Sequence, residues 1–462
     1  MPIDDGEARK IVYPLIITIR DLIKELKENG KIQPSEELIR KWTVKNFSYD
    51  ESGISSAFFK IGEVQKKSTW LNASLGLSIH VMTLPQYGAV LRYLNILKFQ
   101  RMQAPIYLQR FCNKVSLKFL NTDHVTDTDI DEFVRIFISD VNDQPVQVKI
   151  KIGLTGIILE PNEIRINSNY RLRKPKIEDF ESEENLIVSF HSIDFPNPTV
   201  FLEISMTATN QEMITNTIER SITIFRLYHS GMIRSTGYQI SSSSIFYSGT
   251  GSTGSFDYSE IHDTYLIKNS EVHNFIHFWD KISDKIPDSF FQTEKFDFKT
   301  ISYNRYSDAL KHDALIERRI STAIMGMESI FLRSGGENAE LLLRLSLRVT
   351  QLLKNISYDP TSVMQVIKDA YRIRSSFLHG DALPADKEQK IAARYGDSLN
   401  NLLQLTLDFL RVSVIISITL LVSKEIFVKT LDDSLLDQQF NDQLLLQIDD
   451  GISIAVLSKL EN

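Results

Sequence analysis

Between residues 305 and 425 apolar side chains recur with the period of an α-helix, and explicit stops cut the run into four segments. The first, about Ser307 to Leu332, runs into Ser334-Gly335-Gly336, and the second, about Ala339 to Lys354, halts before Asp359-Pro360. The third starts near Thr361, a residue type suited to capping a helix N-terminus, and stops at His379-Gly380, where glycine accepts the conformation that ends helices. The fourth follows Pro384 and spans about Asp386 to Lys424, long enough to flank the others. Amphipathic helices on such short connections bury their apolar faces against one another, so this third of the chain is expected to be an up-and-down bundle.

Upstream the period changes. Residues 10 to 45 carry helical spacing (Ile16, Ile19, Leu22, Ile23, Leu26), with Gly30 closing the first helix, and a further helix is expected near Ala89 to Met102. From about 105 to 265, short alternating runs such as Val146 to Ile152, Glu163 to Ile166 and Val200 to Ile204 sit between Pro, Gly and Asn, which is the pattern of strands. Ser241 to Ser255 reads as a flexible Gly/Ser-rich loop. The fold class expected is multidomain α+β, because 462 residues exceed a single ordinary core. Its divisions are a mainly helical region over 1–104, a strand-rich domain over 105–265, a helical connector over 266–304, the bundle over 305–430 and a helical tail over 431–462.

The one cysteine, Cys112, rules out an internal disulfide framework and a cysteine-based zinc cluster, and fits the reducing cytoplasm. The start of the chain is acidic and polar, unlike a secretory signal. The strongest apolar run, Val412 to Val422, is bracketed by Arg411 and Lys424 and is too short to span a bilayer, so it is expected to be a core helix and no membrane partner is implied. A net charge of -7 argues against whole-molecule attraction to phosphate backbones. Any nucleic-acid function must therefore rest on a local site, and residues 309–424 are slightly basic, with 15 Lys and Arg against 12 Asp and Glu.

The third bundle helix carries Val363, Ile367, Ala370 and Phe377 on one stripe, and Arg374 falls on the same stripe. A guanidinium in a core-facing register needs a partner or a cleft. Glu328 stands in the same anomalous way among Ile324, Met327 and Phe331, so an Arg374–Glu328 pair is expected. His379 follows Arg374 by five residues, about 140° around the helix, which lets both line a groove. It sits in the last turn, where the negative end of the helix dipole favours an imidazolium and suits a proton donor.

The segment Tyr371-Arg372-Ile373-Arg374-Ser375-Ser376-Phe377-Leu378-His379-Gly380 resembles the Arg-x4-6-His signature of HEPN domains, closest to the Apea-like subgroup, where Arg-Ser and His-Gly frame the motif. The preceding helix around Met327-Glu328-Ser329 is also similar to that subgroup, and the resemblance spans about 120 residues. It implies a metal-independent endoribonuclease without a cofactor. The substrate 2′-hydroxyl attacks the neighbouring phosphorus, His379 serves as general acid or base, and Arg374 holds the phosphate. It further implies a homodimer that apposes two copies of the motif through the C-terminal bundle. Glu328, Ser375 and Tyr371 are the supporting residues. Ser375 either bonds phosphate or the opposite motif, or is an ordinary exposed serine, and Tyr371 is expected to pack rather than stack on a base. By the same resemblance the chain is an antiviral defence or abortive-infection effector, with residues 1 to about 300 restraining or targeting it in response to a phage or host trigger. The rival readings are a non-catalytic module that binds RNA or protein through the bundle, and a strand-rich ligand sensor that the bundle dimerises.

Other patterns carry less. Arg305 and His312 also satisfy Arg-x6-His, but Arg305 lies before the first expected helix. Gly249-x-Gly251-x-x-Gly254 is followed by Ser255-Phe256-Asp257-Tyr258 instead of an apolar helix, unlike a dinucleotide fingerprint. Asp127, Asp129 and Asp131 lack the glycine and glutamate of a calcium loop and read as a polar helix start. His273 and His277 have zinc-pair spacing but no third ligand, and Arg344 and Arg348 read as a solvated helix face.

Overall fold

In the computed structural model, residues 4–48, 56–97, 103–122, 124–142, 144–176, 179, 198–247, 249–251, 265–291, 296–311, 314–333, 340–380 and 383–458 are described. The protein is a mixed α+β molecule with an N-terminal strand-containing region and a C-terminal helical region. Among the described residues, apolar side chains gather into two cores.

The first core is helical. Helix α1 (Asp5–Glu28) is N-capped by Asp4 and followed by Gly30 in the left-handed conformation, as its sequence leads one to expect. Its buried stripe, Val12, Leu15, Ile16, Ile19 and Ile23, packs with α2 (Leu71–Met82), α3 (Pro85–Ile96), α4 (Ala104–Leu120) and α5 (Asp127–Val141). The expected strand-rich domain over 105–265 therefore begins some forty residues later than its sequence suggested. Tyr107, Phe111, Phe119, Phe133 and Phe137 interleave at helical spacing, and their β-prone aromatic character masks that period. The polar run at Asp127 is indeed a helix start, held by a capping box between Thr126 and Asp129. The region before residue 104 is not uniformly helical either, because β1 (Ser35–Ser48) and β2 (Ser56–Thr69) form a long antiparallel hairpin.

The second core joins a sheet to the C-terminal helices without interruption. Strands β3 (Val146–Thr155), β5 (Glu163–Arg165), β6 (Tyr170–Arg173), β7 (Val200–Ala208), β8 (Arg234–Ser242) and β9 (Gly249–Gly251) order as β5-β6-β7-β3-β8-β9. Val148, Ile150 and Ile152 alternate inward from β3, as period-two patterning requires. Part of the expected Ser241–Ser255 loop is thus strand β9, paired with β8. Its third glycine, Gly254, and residues 255–258 lie outside the described residues. A short β4 (Ile157–Leu159) pairs in parallel with β10 (Tyr265–Ile267). Helices α6 (Gln211–Tyr228) and α7 (Val272–Ile282) add Ile218, Phe225, Phe275 and Trp279 to the core, and His273 and His277 stack on one face of α7.

The bundle consists of α8 (Phe298–Ala309), α9 (Ile316–Phe331), α10 (Leu341–Leu353), α11 (Pro360–Leu378), α12 (Ala385–Ala392), α13 (Leu399–Thr419), α14 (Lys424–Ser434) and α15 (Gln438–Leu457). Several boundaries differ from the sequence expectation. The first expected helix is two, α8 and α9, parted near Leu310, and His312 lies outside the described residues, as do 334–339 with their glycine stop. The cap of α11 is Asp359, not Thr361, with Pro360 in the first turn. The expected fourth helix is broken by Gly396 and Asp397, both at positive φ, before Ser398 caps α13. That helix is long and apolar enough to cross a membrane, yet 83% of its most apolar window is buried among its neighbours, the place of a core helix.

Candidate functional site

Helix α11 positions the residues singled out by sequence. Its buried stripe, Val363, Val366, Ile367, Ala370 and Ile373, faces the core. Arg374 is half-buried on that side and its Nη2 donates to Glu328 Oε2 of α9 at 3.0 Å, the expected pair. Tyr371, one turn earlier, packs against the core, and its ring lies 5.3 Å from the Arg374 guanidinium carbon. Burial pushes the Glu328 carboxyl above its ordinary range, and Arg374 opposes that shift by charge and hydrogen bond. Arg374 Nε and Glu328 Oε1 are buried without a hydrogen-bond partner, so the two groups meet through one bond rather than a fork.

His379 stands elsewhere. It is the C-cap of α11, its N–H bonds to Ser375 O at 3.2 Å, and its side chain is exposed. Gly380 follows at φ +76°, where an L side chain is strained, and so fixes the end of the helix at the imidazole. Arg374 thus turns toward α9, while His379 lies about 140° around α11 with Ser375 and Arg372 nearest its own face. Ser375 is half-buried and lines a trough.

That trough was missed by sequence reasoning. A cleft of about 520 Å³ runs between α11 and α12, where Arg372, Ser375 and Ser376 face Lys387, Lys390 and Arg394. Two of its lining arginines are held by Asp369, a carboxylate with no exposed side-chain surface. Asp369 accepts from Gln365 Nε2 at 2.9 Å and Tyr395 Oη at 3.0 Å, and pairs with Arg372 at 3.3 Å and Arg394 at 3.2 Å. One buried anion therefore holds two arginines at the cleft, while Lys387 and Lys390 remain exposed. The signal was available, since Lys387, Lys390 and Arg394 recur at helical spacing, but Asp369 looked like any helix-surface carboxylate.

Arg348 is a correction. It is 1% exposed rather than part of a solvated face, with Nε and Nη2 forked onto Asp432 at 2.7 and 2.8 Å and Nη1 donating to Phe331 O at 2.7 Å. It ties α10 to the end of α9 and to α14, where it can meet no phosphate. Among the described residues, no group of three or more His, Cys, Asp or Glu stands together to hold a metal ion. No family model, no curated protein and no solved structure matches the chain.

Proposed function

We propose that the protein is a metal-independent endoribonuclease of HEPN type, similar to the Apea-like subgroup, working as a homodimer through its C-terminal bundle. The observation that carries this reading is the position of His379. An exposed imidazole closes α11 on the face that carries Arg372 and Ser375 into a trough with four cationic side chains. Such a trough attracts a phosphate backbone even though the whole chain is acidic. In the reaction the RNA 2′-oxygen bonds to phosphorus and the P–O5′ bond breaks. The 2′-hydroxyl proton leaves to a base and the 5′-oxygen takes one from an acid, which yields a 2′,3′-cyclic phosphate and a 5′-hydroxyl. One imidazole cannot serve both oxygens at once, so two copies of His379 divide the work across the dimer. Arg374 spends one N–H on Glu328 and retains further donors for charge building on the phosphorane. The N-terminal region, acting on a phage or host trigger, would restrain the bundle in an antiviral defence role.

The test is cleavage of single-stranded RNA in EDTA by the full-length chain. His379→Ala should abolish cyclic-phosphate products while leaving the thermal midpoint almost unchanged, because the side chain is exposed. Equal cleavage by variant and wild type would remove the assignment. One observation favours a second reading, a bundle that binds RNA without cutting it: Arg374 is held within the bundle by Glu328 and Tyr371, on a different face from His379. Cyclic-phosphate ends belong only to the first reading.

A further inference from the structure

Beside the basic trough lies a second cavity of about 360 Å³ with a different lining. Leu315, Ile373, Phe377, Leu383 and Leu399 make its walls apolar, and Glu317 and Glu388 add carboxylates. The two cavities share Ser376 and Leu383, so they are neighbours on one surface. Helix α11 supplies both through adjacent ridges: Arg372, Ser375 and Ser376 to the trough, and Ile373, Ser376 and Phe377 to the slot, which Gly380 beyond its end also borders. Helix α12 does the same, with Lys387 in the trough and Glu388 in the slot.

Across the start of α9 the chemistry turns basic again. Ala314 and Arg318, chain neighbours of Leu315 and Glu317, border a third cavity of about 260 Å³ together with Arg305 and with Lys311, whose ammonium is paired to Asp308 at 2.7 Å. The slot therefore shares residues with one cationic cavity and adjoins the other through neighbouring residues of the chain. A free nucleotide needs phosphate contacts on one side of its base, whereas a strand needs them on both.

Resting on the ribonuclease reading above, we infer that the slot formed by Phe377, Ile373, Leu383 and Leu399 receives one unstacked base of an RNA strand. The Arg372/Lys387/Lys390/Arg394 trough takes the phosphates on one side and the Arg305/Arg318 cavity those on the other. Apolar and aromatic walls bind the faces of a splayed base, which is how single-stranded RNA is read. Glu317 and Glu388 accept hydrogen bonds and donate none when ionised, so they select a base edge rich in N–H groups. Guanine offers N1–H and the N2 amino group side by side to one carboxylate. Uracil offers a single N3–H between two carbonyl oxygens that a carboxylate repels. The site thus prefers guanosine to uridine, and its cations add affinity that is blind to sequence.

The experiment uses the full-length His379→Ala protein in EDTA, with fluorescein-labelled U12 RNA and the same strand carrying one central guanosine, read by anisotropy against salt. Guanosine should tighten binding about tenfold, the lower range for one bidentate base contact. Lys387→Ala/Lys390→Ala, at two exposed positions, should weaken both strands alike and flatten the salt dependence by about 0.7 per lost phosphate contact. Glu317→Gln/Glu388→Gln should erase the guanosine preference while U12 binds at least as tightly as before. Unaltered binding in the lysine variant, a guanosine preference that survives the glutamate variant, or free guanosine monophosphate competing as well as the strand each overturns the inference. With His379 restored, normal cleavage by Lys387→Ala/Lys390→Ala would also overturn it while leaving the nuclease reading intact. Guanosine-dependent binding by a chain that never cuts RNA would support the inference and sink the nuclease reading.

Discussion

Arg374 and Glu328 are joined by a single 3.0 Å bond between α11 and α9, and each keeps one buried atom, Nε and Oε1, without a partner. Such a pair is costly to cut on one side. Arg374→Ala leaves a carboxylate that burial already penalises, and should lower stability by about 1–3 kcal/mol. Glu328→Gln on top of it removes the stranded charge and should recover part of the loss. Urea denaturation of the two single variants and the double variant measures the coupling. Strict additivity would show that the pair contributes nothing and that Arg374 is free for another role.

Arg348 should be less forgiving, because its guanidinium is almost wholly removed from water and is held by a fork onto the part-exposed Asp432 and by a buried bond to Phe331 O. Arg348→Ala is expected to cost about 1–3 kcal/mol, because it strands the buried Phe331 carbonyl while Asp432 can still turn to water. Arg348→Lys should rescue little, since an ammonium cannot reproduce the planar fork. A lysine variant with wild-type thermal stability would contradict the geometry.

These two arginines show what the sequence could disclose. Arg374 was legible because it interrupts an apolar stripe on its own helix, and its partner interrupts another stripe in the same way. Arg348 was not, because α10 has polar neighbours and the partner, Asp432, lies 84 residues away in a helix with no unusual feature. The strands of the middle region declared themselves by period two, while α4 was hidden by aromatic residues that suit either period and α5 showed only its polar start. The trough depends on the turn of α12 against α11. Its lysines are periodic in sequence, but only tertiary packing sets them opposite Arg372 and pairs Asp369 with Arg394.

Acid stability should report on His229. Its ring is 5% exposed, lies between Tyr228 and Tyr265, and has a buried Nε2 without a partner. Burial, aided by the Arg411 guanidinium, pushes its pKa down to about 3 despite the opposing Asp408 charge. In the unfolded chain the same imidazole titrates near 6.5. Below that pH the unfolded state binds a proton that the folded state refuses, so this contribution is intact above pH 6.5 and is lost progressively as the pH falls toward 3. Between pH 7.5 and 5.0 the wild type should lose on the order of 2 kcal/mol that His229→Leu does not lose. Parallel losses in urea titrations at the two pH values would show that the ring is protonated in the fold.

The seam between α13 and α15 tests whether the C-terminal helices belong to the bundle core or merely rest on it. Gly451 of α15 sits so close to α13 that a Cβ there would stand 2.7 Å from Thr419 Oγ1 and 2.8 Å from Ile416 Cα. The second contact is backbone and cannot swing aside, so the helices must separate. The same seam holds Arg411, whose Nη1 donates to Ser458 Oγ at 2.7 Å and to Leu227 O at 2.9 Å, and so links α15 to α6 through α13. On helix propensity alone, Gly451→Ala should stabilise by up to about 1 kcal/mol. Overpacking should reverse the sign and cost about 1–3 kcal/mol, because parting the helices also loosens the Arg411 contacts. A fall in the thermal midpoint of Gly451→Ala would place α15 within the cooperative core, whereas a rise would mean that α15 can lift from α13 without disturbing it.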